Sequence, residues 1–258
     1  MFTERKMPVL FVGHGSPMNA IETNEFSQSW ESLGKELPRP KAILAISAHW
    51  MTDSPKISTS ASYRQIYDMY GFPDELYRVE YHPDGAPDVA ERALQLLGAD
   101  AAIDNSWGLD HGLWSILCRM YPNTDVPVAA MSVGVRKNPA FQFELGRKLQ
   151  PLRDEGVMIL ASGNVVHNLS RINWKMSGGY GWSEAFDLAV KVAILQRDFQ
   201  KVVNFKDIPG SHKAFYTVEH FYPLLTALGA VREDDTIRVF NESLQLGSLS
   251  MTSYAFGL

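Results

Sequence analysis

Cysteine is almost absent from this sequence: Cys118 stands alone among 258 residues. A single thiol excludes an intramolecular disulfide and any zinc site built from several cysteines. Positive charge is sparse as well. Lys and Arg number 24 against 29 Asp and Glu, for a net charge of −5 with no basic run. That balance argues against a nucleic-acid groove or an anionic membrane surface as partner. Long hydrophobic runs are missing too. The apolar stretch Met7 to Val12 stops at Gly13-His14-Gly15, too short for a signal-peptide core, and no segment reaches the roughly 18 apolar residues of a spanning helix. Together these shortages predict a cytoplasmic protein. What is present is 45% hydrophobic residues, enough for a substantial core. The length suits one α/β domain over residues 1–258.

Four short apolar, β-branched segments read as buried strands: Val9–Val12, Ala42–Ser47, Val126–Val133 and Val157–Ala161. They lack polar alternation, as strands covered on both faces do. Thr236–Asn241 and Ser250–Phe256 alternate more and read as additional strands. Helical spacing links Phe26, Trp30, Leu33 and Leu37, then Val89, Ala93 and Leu97 after Pro87, then Phe141, Leu145, Leu149 and Leu152 after Pro139. Proline suits a first helical turn. A long helix is predicted over Ser183–Val203, capped by Ser183, and another over Ser211–Leu228, bent or broken near Pro223. Strands alternating with helices predict a three-layer α/β/α fold around a mostly parallel sheet. Ser54–Tyr81, rich in Tyr, Ser and Pro, reads as an irregular excursion of the kind that shapes a pocket.

The histidines fall at matching places. His14 follows the first strand, His49 the second, and His167 the Val157–Ala161 strand. Ligands of open α/β sheets gather beyond the carboxyl ends of the strands. A lone histidine after a strand is ordinarily a loop or capping residue, but three at equivalent positions point to one crevice. Neutral imidazole binds iron, zinc and copper, and a histidine site without cysteine suits a catalytic ion with an open position. A third ligand is available from Glu219-His220, on the predicted helix. Adjacent helical residues point about 100° apart, so only one of the pair would face the ion. Glu219 would complete a 2-His-1-carboxylate set; His220 would make the site all-histidine, which zinc also accepts. Asp110-His111 precedes an apolar helix, where Asp110 also reads as its cap. His82 and His212 read as solvated.

Gly13-His14-Gly15-Ser16-Pro17-Met18, Ser47-Ala48-His49-Trp50, Asp110-His111-Gly112, Ser162-Gly163-Asn164-Val165-Val166-His167-Asn168-Leu169 and Glu219-His220-Phe221-Tyr222-Pro223-Leu224 span most of the chain. In this order the chain resembles the class III extradiol dioxygenases, in their 4,5-DOPA extradiol dioxygenase branch. The resemblance implies an enzyme that opens a catechol ring with O₂ at the bond beside its two hydroxyls, with L-DOPA giving 4,5-seco-DOPA. It implies one divalent ion per chain, Fe²⁺ for the redox chemistry or Zn²⁺ as the ion bound. Carried over residue by residue, it makes His14 and His49 metal ligands and His220 the third, with Glu219 as the alternative. It makes His167 the acid–base residue, able to close on the ion as a fourth ligand, and His111 a catalytic group contacting or supporting the substrate. The chain departs from better-known class III enzymes, whose third ligand is a glutamate, by carrying Glu and His side by side.

Two other functions fit the same residues. A zinc hydrolase would use a metal-bound hydroxide, with His167 moving protons. A non-catalytic binding protein would have no need to keep His14, His49, His167 and His220 together. Tyr63, Tyr67 and Tyr70 of the excursion are candidates for contact with an aromatic ring, or for packing.

Overall fold

A computed structural model describes residues 6–258; residues 1–5 of the span assigned to the domain lie outside it. The four continuous apolar runs form the centre of an eight-stranded sheet. They are β1 (Val9–Gly13), β2 (Ala42–Thr52), β5 (Val128–Gly134) and β6 (Val157–Gly163). The short strands β3 (Lys56–Ile57) and β4 (Ala102–Ile103) extend one edge. β7 (Ile237–Phe240) and β10 (Ser253–Phe256) extend the other. The order is β4-β3-β5-β2-β6-β1-β10-β7. The central β5-β2-β6-β1 pairings are parallel, while β10 runs antiparallel to both β1 and β7. A separate ribbon joins β8 (Leu244–Gln245) to β9 (Leu249–Ser250). The predicted strand Ser250–Phe256 is thus divided: Ser250 belongs to the ribbon and the rest to the sheet.

Successive residues of each central strand face opposite cores, which is why these runs show no polar alternation. Val9, Phe11, Leu44, Ile46, Ile159 and Ala161 face one side. There they meet α2 (Pro87–Leu97), α4 (Pro139–Leu149), α5 (Pro151–Asp154), α6 (Gly181–Leu195), α7 (Phe199–Val203) and α9 (Tyr222–Ala230). Leu10, Val12, Ile43, Ala45, Met158 and Leu160 face α1 (Glu25–Glu36) and α3 (His111–Met120). The three-layer α/β/α arrangement follows. Among the described residues no helix is long and apolar enough to cross a membrane.

Three predicted helices are divided. The spacing Phe141, Leu145, Leu149, Leu152 crosses two helices, because α4 ends at Leu149 and Leu152 belongs to α5, which starts at Pro151. Ser183–Val203 breaks after Leu195, where Arg197 takes a left-handed φ of 58°, and restarts at Asp198, whose carboxylate caps α7 by accepting from the Lys201 amide. Ser183 is not a cap. It lies in the first turn of α6, with its hydroxyl donating to the carbonyls of Tyr180 and Gly247. Ser211–Leu228 divides into α8 (Ser211–Ala214) and α9, with 215–221 outside any helix. The break precedes Pro223, which sits in the first turn of α9, where it removes no helical hydrogen bond. Phe215 is extended instead, because its backbone bridges to His167. Glu219-His220 therefore occupies a turn rather than a helix.

Candidate metal centre

Register brings the histidine-bearing strand ends together. Ser162 of β6 pairs with Val12 of β1 on one side and Ser47 of β2 on the other, so the last residues of β1 and β6 lie level with Ser47 of β2. His14 follows directly, with its amide bonded to the Gly163 carbonyl. Gly15 turns at φ +58°, and a Cβ there would stand 2.3 Å from Met251 Sδ. His49 lies inside β2 rather than after it. Between Ser47 and Met51 the β2–β5 register shifts, and this bulge, a device that re-aims side chains, carries His49. The turn before α9 supplies His220 from the opposite layer. A Cβ on Gly163 would lie 2.1 Å from the His220 carbonyl oxygen, so glycine at the end of β6 permits that approach.

The three rings converge through one edge. Nε2 of His49 lies 3.2 Å from Nε2 of His14 and 3.3 Å from Nε2 of His220. Each Nδ1 is already engaged. His14 Nδ1 is 2.9 Å from Ser162 Oγ, and that hydroxyl donates to the Gly112 carbonyl, so it accepts from His14. His49 Nδ1 donates to Asp68 at 2.5 Å and His220 Nδ1 to Glu219 at 3.0 Å. With the proton on Nδ1 in all three, the Nε2 lone pair of His49 faces those of His14 and His220 in a buried space. They repel unless a cation lies among them. Two histidine nitrogens on one tetrahedral zinc-like ion stand about 3.4 Å apart, given bonds of about 2.0–2.1 Å. The donor set and its spacing therefore fit a divalent ion, and each ring carries the outer hydrogen bond that orients a ligating imidazole.

Two further imidazoles flank these rings. His167 stacks on His220, with centroids 3.5 Å apart. His111, the first residue of α3, meets His49 edge-on at 4.1 Å. A ring nitrogen of His111 lies within 4.8 Å of ring nitrogens of both His14 and His49. All five predicted site histidines are thus gathered, while His82 and His212 are exposed elsewhere on the surface.

Burial, then the charge of the neighbouring imidazoles, lowers the pKa of His14 and His220 well below the ordinary value. His167 is pushed down to about 4, by burial first and the charge of His49 second. Burial opposes protonation of His49 too, but the Asp68 hydrogen bond and nearby carboxylates outweigh it, and its pKa rises. Asp68 is held far below the usual carboxylate range: burial raises it, and the hydrogen bonds from His111 and His49 more than reverse this.

The family of the catalytic LigB subunit of aromatic ring-opening dioxygenase matches residues 8–257 of the chain. The chain belongs to that family of ring-opening dioxygenases. It is similar to an Escherichia coli K12 protein named 4,5-DOPA dioxygenase extradiol, 41% identical over 100% of this chain and 97% of the relative. A Beta vulgaris protein of the same name is 36% identical over 95% of each. The crystal structure of an uncharacterized Escherichia coli K12 protein superposes with a TM-score of 0.85 at 39% identity, covering 96% of this chain and 99% of that one. The extradiol dioxygenase family read from the motifs, and its α/β fold, are those of this chain.

Sequence reasoning named Glu219 only as an alternative ligand and missed the other two residues that hold the rings, Asp68 and Ser162. Asp68 lies in the excursion and Ser162 on a strand where nothing distinguishes it from a core serine. Asp110 was read as a cap, yet its carboxylate makes no capping bond. It accepts instead from Ser47 Oγ and Trp107 Nε1. Tyr63 is buried and its phenol oxygen accepts from the Ala130 amide; Tyr67 donates to the Val79 carbonyl; Tyr70 is 92% exposed. The group that the excursion brings to the imidazoles is Asp68.

Proposed function

We propose that this chain is a metal-dependent dioxygenase that cleaves a catechol ring at the bond beside its hydroxyls, with L-DOPA as the first substrate to test. The observation carrying this reading is the meeting of three Nε2 atoms whose Nδ1 protons are all committed elsewhere. In this reading His14, His49 and His220 hold the ion, and Glu219 orients His220 instead of binding metal. A redox-active divalent ion such as Fe²⁺ supplies Lewis acidity to the catechol oxygens and an electron path to O₂, whereas Zn²⁺ suits the histidines but has no redox chemistry. The names of the relatives support DOPA as the catechol.

His167 is the proton carrier. With its pKa pushed down to about 4, it is neutral at physiological pH and free to take a catechol proton. Burial makes the resulting imidazolium a ready donor, so it returns the proton as the ring opens. His111 has Nδ1 bound to Asp68, which leaves Nε2 to meet the substrate.

The test is anaerobic reconstitution with Fe²⁺, addition of L-DOPA and then O₂, with oxygen uptake and product absorbance recorded together. Stoichiometric uptake with a yellow product is expected. Absence of uptake with L-DOPA and with a panel of simpler catechols would sink the proposal.

A further inference from the structure

The outer hydrogen bonds of the cluster are not equivalent. Ser162 and Glu219 each hold one ring, but Asp68 holds two. Its Oδ2 is 2.5 Å from His49 Nδ1, and its Oδ1 is 2.9 Å from both His111 Nδ1 and the His111 amide. The side chain is only 16% exposed. An ionised carboxylate has no proton to donate, so both imidazoles present Nδ1–H to it and, when neutral, both leave Nε2 unprotonated. The two rings stand at 89° to each other, one facing each oxygen.

The backbone around Asp68 is built to hold this position. Ile66 donates to the Leu109 carbonyl and Leu109 to the Arg64 carbonyl, while Trp114 Nε1 donates to the Ile66 carbonyl. The excursion is thereby laced onto the segment that ends in Asp110-His111. Gly108 makes the lacing close: a Cβ there would stand 1.9 Å from the Arg64 carbonyl oxygen. Gln65 and Tyr67 tie the other side of the segment to Val79 and Tyr81.

We propose that Asp68 is a positioning residue that sets the tautomers of His49 and His111 together, so that one carboxylate presents both a metal-binding and a substrate-facing nitrogen lone pair. This rests on the function proposed above only in taking His49 as a metal ligand and His111 as the substrate-facing ring. The substitution Asp68→Asn separates it from a merely structural role. An amide offers one acceptor oxygen and an NH₂ donor, so it cannot accept from both rings. The ring facing the NH₂ must turn its Nδ1 into an acceptor and carry its proton on Nε2, toward the pocket.

The experiment is ¹⁵N NMR of the imidazoles in the metal-free full chain at mildly alkaline pH, with Zn²⁺ affinity measured by chelator competition. In the wild type, His49 and His111 should both report Nδ1–H. In D68N one of the two should report Nε2–H. If that ring is His49, Zn²⁺ affinity falls roughly 10–100-fold. If it is His111, Zn²⁺ affinity stays near the wild-type value. Asp68→Glu restores the carboxylate and should return both rings to Nδ1–H; this variant also decides the matter should D68N fail to fold. Two Nδ1–H rings in folded D68N, or an Nε2–H ring in the wild type or in D68E, would overturn the proposal. Neither readout involves a catechol, so loss of the dioxygenase reading and loss of this one are seen separately.

Discussion

His167 lies flat against His220, with ring planes within 5° of parallel. The contact joins a proton carrier to a metal-ligand candidate through ring faces, which leaves the ring nitrogens of each free for separate tasks. His167→Ala is therefore expected to keep metal affinity within a few-fold while lowering kcat by roughly 10²–10⁴, the usual worth of a general acid–base group. Metal content by elemental analysis beside oxygen uptake checks it. Complete loss of metal would make His167 a principal ligand.

Glu219 and His220 are neighbours with different tasks. His220→Ala should abolish tight metal binding, since it removes an Nε2 from the trio. Glu219→Gln keeps an oxygen that accepts from His220 Nδ1–H, and affinity should fall only about tenfold. Chelator competition measures both. Equal losses in the two variants would assign Glu219 to the ion instead.

Gly163→Ala tests the close approach of β6 to the His220 turn. The added methyl meets the His220 carbonyl oxygen, which also accepts from the Asn164 amide at 2.9 Å. Relief requires moving the turn, at a cost of about 1–3 kcal/mol in stability, and His220 moves with it. Denaturant unfolding should show the destabilisation, and metal titration a weaker site in the folded fraction. Unaltered metal affinity would mean that the turn adapts without shifting the ring.

A buried ion pair apart from the histidines contributes to the acid limb of stability. Arg153 grips Asp235 through two bonds of 2.7 and 2.8 Å, with neither side chain exposed. Burial raises the Asp235 pKa, but hydrogen bonds from Arg153, the Arg232 amide and Lys6 outweigh it and hold it at about 2, below its ordinary 3.8. A folded-state pKa below the unfolded one gives stability that is complete above about pH 4 and is lost as pH falls toward 2. The shift corresponds to about 2 kcal/mol, at roughly 1.4 kcal/mol per unit. Asp235→Asn strands the Arg153 charge and should destabilise by roughly 3–5 kcal/mol at neutral pH, with a flatter acid limb. Urea unfolding across pH 2–7 reads both effects.

Much of the fold was legible because burial on both faces leaves its mark in sequence. The runs ending near Val12, Ser47, Val133 and Ala161 are the central strands, each reaching one to five residues further at its carboxyl end, while β5 begins two residues later than predicted, at Val128. The extension in β2 matters most. It takes His49 into a bulge, and a bulge has no composition that announces it. The helix breaks were hidden for a related reason. Arg197 adopts a left-handed backbone without being glycine, and Phe215 leaves the helix only because His167, 48 positions earlier, offers its backbone.

The sequence by itself determined the layers, the strand-end placement of His14 and the list of imidazoles, since hydrophobic patterning and residue type are local properties. Tertiary structure alone decided how those imidazoles are held. Ser162 reaches His14 across 148 positions and Asp68 reaches His49 across 19, and no periodicity couples such pairs. It also decided that Glu219 and His220 share one site. On a helix they would diverge by about 100°; in the turn before α9 the carboxylate folds back onto its neighbour's Nδ1 and leaves Nε2 facing His49.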